Sequence, residues 1–226
     1  MKRGKKYSAA IKKYDGTATY ELKPAVDMLK SLAFARFDET VELSVKLNLK
    51  KSQTVRDTVV LPNQFKAEKR ILVFCKPEKE KEAQESGATF VGASDLIEKI
   101  KGGWLDFDVA VATPDMMKDV GKLGMILGRR GLMPNPKTGT VTFDLKSALF
   151  ELRKGRIEFR ADKTGVVHLA VGKVSMLSEK IVENVQAIVT EIKRKRPSDA
   201  KGDFIKTISV ASTMGPGIWV VLKDQE

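Results

Sequence analysis

The sequence predicts two domains of different class: an α+β domain assembled from both chain ends, residues 1–64 with 156–226, and an α/β domain inserted between them at residues 65–155. Three observations predict this. Apolar and polar residues alternate strictly over residues 41–49. Near residue 65 the pattern changes to continuous apolar runs separated by helical segments. Beyond residue 155 the alternating style returns.

The first thirteen residues carry Lys2, Arg3, Lys5, Lys6, Lys12 and Lys13 and no acid, which fits a solvated tail or an arm that grips phosphates. Pro24 suits the first turn of a short helix continuing through Val26, Leu29 and Lys30. Next, Val41, Leu43, Val45, Leu47 and Leu49 face one way while Glu42, Ser44, Lys46 and Asn48 face the other, a half-buried strand with a wet face. Residues 58–61 form a second strand, closed by Pro62.

In the middle, Arg70-Ile-Leu-Val-Phe-Cys75 reads as a strand buried on both faces. A charged helix follows over 78–85, then a strand at 89–91. Ser94 is expected to cap a helix that Gly102-Gly103 stop, and residues 107–112 give another strand. Asp115 is expected to start a further helix. Strands alternating with helices imply parallel pairing in a doubly wound, three-layer α/β/α sheet of Rossmann-like type.

After it, residues 157–161 and 166–171 flank Asp162-Lys-Thr-Gly165 and predict a hairpin. Ser178 is expected to cap a long helix with the stripe Ile181, Val185, Ile188, Val189 and Ile192. Lys193 to Arg196 favour its C-terminal dipole and Pro197 ends it. Strands at 207–211 and 218–222 finish the two-ended domain, a split β-α-β arrangement.

Charge narrows the partner. The chain has 226 residues with 41 Lys+Arg against 29 Asp+Glu, a formal net charge of +12, which favours a polyanion through counterion release. The two-ended domain holds 25 basic and 16 acidic residues, a net of +9; the insert holds 16 and 13, a net of +3. Cys75 is the single cysteine, so no internal disulfide forms and a reducing, cytoplasmic location is expected. No apolar stretch follows the basic N-terminus, as a secretory signal requires.

Enzyme chemistry finds little support. His168 is the only histidine, and Cys75 lies in an apolar run, so neither a nucleophile pair nor a zinc site of the usual ligands is expected. Neither a G-x-G-x-x-G nor a G-x-x-x-x-G-K-[ST] motif occurs, which disfavours a nucleotide-dependent enzyme. A membrane-surface role needs basic residues along one helix face, whereas helix 179–196 bunches them at one end.

Two segments stand apart. Gly128-Arg-Arg-Gly-Leu-Met-Pro-Asn-Pro-Lys-Thr-Gly139 is too rich in Gly and Pro for a regular element; it is either a structural loop or a rigid platform for Arg129, Arg130 and Lys137. Ser212-Thr-Met-Gly-Pro-Gly217 is either a plain hairpin turn or a ligand contact, with Met214 suited to pack on a sugar or base.

These segments carry a resemblance. Gly131-Leu-Met-Pro-Asn-Pro-Lys-Thr-Gly-Thr140 resembles the signature of the ribosomal protein L-one family, of bacterial type. Phe37-Asp-Glu-Thr-Val-Glu-Leu43, Val109-Ala-Val-Ala-Thr-Pro-Asp115, Ile157-Glu-Phe-Arg-Ala-Asp-Lys-Thr-Gly165 with His168, and Ser212-Thr-Met-Gly-Pro216 match in the family's order. The resemblance implies a non-catalytic protein of the large-subunit stalk, without cofactor or metal, monomeric off the ribosome. Its implied partners are large-subunit rRNA, exit-site tRNA and the messenger of its own operon, whose translation it would repress. Carried onto this chain, the implied RNA contacts are Phe37, Thr213, Met214 and Gly215, with Thr40, Glu42, Arg160, Lys163, His168 and Thr207 around them. Arg3, Lys5, Lys6, Arg36 and Lys46 are the implied phosphate contacts. Asp57 stands where the family carries glycine, the loop after Pro62 is short, and Thr207 replaces a frequent serine.

Overall fold

The computed structural model describes residues 4–50, 53–65, 69–197 and 202–221. In chain order the elements are α1 (Lys5–Ile11), β1 (Thr19–Glu21), α2 (Leu22–Leu32), β2 (Thr40–Leu47), β3 (Arg56–Val60), β4 (Ile71–Phe74), α3 (Pro77–Glu85), β5 (Phe90–Gly92), α4 (Ser94–Lys101), β6 (Val109–Ala112), α5 (Met117–Val120), α6 (Gly124–Arg129), α7 (Leu145–Arg153), β7 (Arg156–Arg160), β8 (Val166–Lys173), α8 (Ser178–Arg194), β9 (Ile205–Ser212) and β10 (Gly217–Val221). Their contacts separate into two compact units, Met1–Phe65 with Glu158–Glu226, and Lys66–Ile157.

The two-ended unit is built on a five-stranded sheet in the order β1-β10-β9-β2-β8. Alternation in β2 buries Val41, Leu43, Val45 and Leu47 on one face. Val167, Leu169 and Val171 join them from β8, Val210 from β9, and Ile218 and Val220 from β10. Helices α2 and α8 pack on that face. The α8 stripe is buried as its spacing predicts, and each such aliphatic side chain contributes about 1.5–3 kcal/mol. Buried Asn184 interrupts this apolar layer. Its amide donates to the carbonyls of Asn63 (2.9 Å) and Val171 (2.8 Å), and its oxygen accepts from the Asn63 N–H (3.0 Å), which ties down the short loop after Pro62. On the opposite, open face Glu42, His168, Thr207 and Trp219 are exposed.

In the inserted unit, β5-β4-β6 form a parallel three-stranded sheet. Leu72 and Phe74 pack on one side with Leu96, Ile97 and Ile100 of α4; Ile71 and Val73 pack on the other with Ala83 of α3 and Leu145 and Leu149 of α7. Burial on both faces explains why this strand reads as a continuous apolar run.

Several local expectations need correction. Residues 5–11 of the basic arm are helical, with Ala10 buried. Asp162–Gly165 is a turn with Gly165 at φ +79, but no hairpin. It joins two sheets, because β8 gives its edge to β2 while β7 pairs with β3; only the bridge Ala161↔Val167 links β7 and β8. Neither Ser94 nor Ser178 caps its helix. The first intrahelical acceptors are the carbonyls of Ala93 and Leu177, which puts each serine inside the first turn. Asp115 lies in a 3-10 turn, Pro114–Met116, and α5 begins after it. Asp144 caps α7 by accepting from the Ser147 N–H, and β1 pairs in parallel with β10; neither element was anticipated. Asp57 is ion-paired with Lys195 at 2.6 Å, so its charge is neutralised within its own unit.

No helix among the described residues is long and apolar enough to cross a membrane.

Candidate nucleic-acid interface

The turn between β9 and β10 is held to the start of β2 by a compact set of bonds. Thr213 N–H donates to the Thr40 carbonyl (3.1 Å), and Thr40 N–H donates to Thr213 Oγ1 (3.0 Å). Gly215 N–H closes the turn on the Ser212 carbonyl (3.1 Å). A Cβ on Gly215 would lie 2.3 Å from Ser212 Oγ, so no larger residue fits without moving that serine. The result is a rigid turn that presents an apolar tip. Met214 is 50% exposed, and Phe37, in the loop entering β2, is 56% exposed. Large apolar side chains held open to solvent by a fixed backbone are suited to pack against sugars or bases.

Glu39 organises this site. Its side chain is buried at 1% exposure. One carboxylate oxygen accepts from the Phe34 and Ala35 N–H groups (3.2 and 2.9 Å), and the other accepts from Met214 N–H (3.0 Å). The Ser212 hydroxyl donates to it as well. Burial alone would push its pKa up; the hydrogen bonds from Ser212, Ala35, Met214 and Phe34 together outweigh this and hold it below the ordinary value. Glu39 therefore locks the Phe37 loop to the Met214 turn. Asp38 extends the lock by accepting from Ser175 N–H and Oγ (3.1 and 2.8 Å). Lys173 donates to Thr40 Oγ1 (2.8 Å), adding a cation beside the turn. Sequence reasoning missed Lys173 and the role of Glu39, and it named Ser212 only as the first residue of the turn segment. Glu39 lay inside the Phe37 to Leu43 motif, where an acid between Asp38 and Thr40 gives no sign of burial.

The remaining expected contacts spread along the open face. Glu42 is exposed on β2, and His168 is exposed on β8 with Nδ1 3.0 Å from Ser44 Oγ. At the far end Lys46 pairs in register with Thr207 and Val166. That is six residues from Thr40, roughly 20 Å along the strand. Lys46 donates to the Thr164 carbonyl. The Asp162–Gly165 turn that presents exposed Lys163 lies beside it, with exposed Arg160 at the end of β7. Hydrogen bonds from Val166 N–H and then Thr164 hold Asp162 below the usual carboxylate range and stiffen this turn. The structure thus brings Phe37, Thr40 and Thr213–Gly215 together and sets Lys46 beside Thr207 at the other end of the face, with Lys163 in the adjoining turn; Arg160 lies on β7, in the separate β3-β7 sheet. Arg36 is exposed in the Phe37 loop, and Lys5 and Lys6 are exposed on α1; Arg3 lies outside the described residues.

The Gly- and Pro-rich segment of the inserted unit satisfies itself internally. Asn135 Oδ1 accepts from Lys137 N–H (2.9 Å), Thr140 Oγ1 accepts from Asn135 N–H (2.8 Å), and Gly131 and Gly139 adopt positive φ. It includes the end of α6 and a 3-10 turn, Pro136–Thr138, so it is not devoid of regular structure. Arg129, Arg130 and Lys137 are exposed on it. Cys75 is fully buried, and desolvation pushes its thiol up to about 11, the reverse of a reactive cysteine. Among the described residues no group of three or more His, Cys, Asp and Glu could hold a metal.

Residues 29–216 match the model of the Ribosomal protein L1p/L10e family. The chain is similar to the Large ribosomal subunit protein uL1 of Treponema denticola, 66% identical over 223 residues and 99% of each chain. It is also similar to the proteins of that name from Treponema pallidum, 62% identical over the whole of both chains, and Borreliella burgdorferi, 59% identical over 97% of each.

Proposed function

The chain belongs to the Ribosomal protein L1p/L10e family, and from that premise we propose that its two-ended unit holds a folded segment of large-subunit rRNA through the open face of the five-stranded sheet. It is a protein of the large ribosomal subunit and not an enzyme. The observation that carries the reading is the Thr213–Gly215 turn. A hydrogen-bonded lock fixes it against Thr40 and Glu39 while Met214 and Phe37 stay exposed. Such groups read the shape and exposed bases of a folded RNA, while Lys46 and Lys173 on that face, with Lys163 and Arg160 at the turn that leads into β8, meet phosphates.

The inserted unit, with Arg129, Arg130 and Lys137 on a stiff loop, is proposed to act on exit-site tRNA as part of a movable stalk. A messenger segment that folds like the rRNA site would occupy the same face and repress its own operon. Off the ribosome the chain is proposed to be monomeric. Filter binding over a salt series tests the rRNA reading. A fragment of large-subunit rRNA should be retained far better than an unrelated hairpin of equal length, at every salt concentration. Equal retention of both would overturn it.

A further inference from the structure

Building on the RNA-binding reading, we infer that Trp219 is a stacking platform for an unpaired base of the bound RNA, at the edge of the sheet where neither the family motifs nor the charge pattern point. The cross-strand registers place Thr19, Trp219, Ser209, Ser44 and His168 side by side in one row across all five strands of the open face. Trp219 is the largest ring in that row, which otherwise holds an aromatic only in His168, and it is 42% exposed. Its neighbours Thr19 and Ser209 are small and polar. The core contribution of β10 comes from Ile218 and Val220 on the opposite face. Among the described residues no ring or cation is seated on the indole, in contrast to Trp104, which packs edge-on to Phe90 at 4.8 Å.

Trp219 also borders a largely apolar groove of about 340 Å³, lined by Ile208, Val220 and Val221 as well as Thr17, Thr19, Lys206 and Thr207. This supplies a π surface, hydroxyls and one cation within a single concavity, the combination that holds a splayed-out nucleotide. Trp219 lies four residues from Gly215, about 13 Å along the strand from the Thr-Met-Gly turn. Thr207, which lines the groove, pairs with Lys46 and so joins the groove to the far end of the proposed interface. A single exposed apolar residue is ordinary on a protein surface; the row, the groove and Lys206 beside it distinguish this one.

The test uses the full chain. Replacing Trp104→Phe leaves Trp219 as the sole tryptophan of the two in the sequence. On titration with transcribed large-subunit rRNA its emission should be quenched saturably, over the concentrations at which filters retain the RNA. Trp219→Leu should weaken retention about tenfold, with Trp219→Phe losing less, since a smaller ring still stacks. The salt slope should not change. Retention with unchanged emission, and Trp219→Leu within twofold of the parent, would overturn the platform while leaving the rRNA reading intact. Emission that responds to ribosomal proteins and not to RNA would overturn it in favour of a protein contact. Failure of the parent chain to retain the rRNA at all would sink the underlying reading and this inference with it.

Discussion

Replacing Glu39→Gln keeps the side-chain shape but removes the charge and turns one acceptor oxygen into a donor. Three backbone N–H groups and the Ser212 hydroxyl now converge on that carboxylate. An amide can serve either the Phe34 and Ala35 pair or Met214, not both, so at least one buried donor faces another N–H. A hydrogen bond to a charged group contributes about 1.5–3 kcal/mol, and stranding a buried donor costs about 1–3 kcal/mol. Since these effects overlap, about 2–4 kcal/mol of destabilisation is expected. That is a large part of the roughly 5–15 kcal/mol a domain has in total. The assay is urea unfolding of the Trp104→Phe background, where Trp219 emission follows the two-ended unit alone. In parallel, rRNA affinity in native buffer should fall at least tenfold, because Met214 loses its anchor, while the salt slope stays the same. The pH dependence carries a sign. The folded pKa of Glu39 is held below its ordinary value, so its contribution is present above the unfolded pKa of about 4.3 and is lost as pH falls through the folded value. Glu39→Gln should therefore flatten the acid side of the stability profile. A variant within about 0.5 kcal/mol of the parent, with unaltered affinity, would refute the lock.

Met214→Ala should cost rRNA affinity with no change in the salt slope, whereas Lys163→Ala should lower that slope by about one unit, both read by filter binding from low to high salt. Gly215→Ala must displace Ser212, and so should weaken binding more than the methyl's own volume explains; a titration against the parent checks this. Asn184→Ala removes three hydrogen bonds, one buried and two part-buried, and should destabilise the two-ended unit by about 3 kcal/mol in the same urea assay. Cys75, buried with its thiol pushed up to about 11, should resist a thiol reagent in the folded protein and react on denaturation.

Much of the fold was legible because periodicity reports burial directly. The alternation of Val41 to Leu47 and the stripe from Ile181 to Ile192 each mark a single buried face. The run Ile71 to Phe74 marks two. What was missed depends on partners distant in sequence. Three residues at Thr19–Glu21 become a strand only because β10 offers an edge. The Asp162–Gly165 turn looks like a hairpin from either side, and only the competing edges of β2 and β3 send its arms to different sheets. Ser94 and Ser178 have the composition of caps, but the first carbonyl acceptor lies one residue earlier in each case. The interface was legible only in part. Met214 stood out as an apolar residue in a turn and Phe37 came with the family resemblance, while Glu39, whose role rests in part on the Met214 N–H 175 residues away, looked like one acid among many. Register, not composition, set Trp219 in a row with His168.

The end of the sheet carrying Phe37 and the Thr213–Gly215 turn is proposed to select one RNA. Ultraviolet crosslinking of the chain in cell lysate, followed by sequencing of the attached RNA, decides whether it does. Reads should concentrate in one folded segment of large-subunit rRNA, with that peak lost for a Thr213→Ala, Met214→Ala double variant that still folds. Reads spread over cellular RNAs in proportion to their abundance, and unchanged in the double variant, would contradict it.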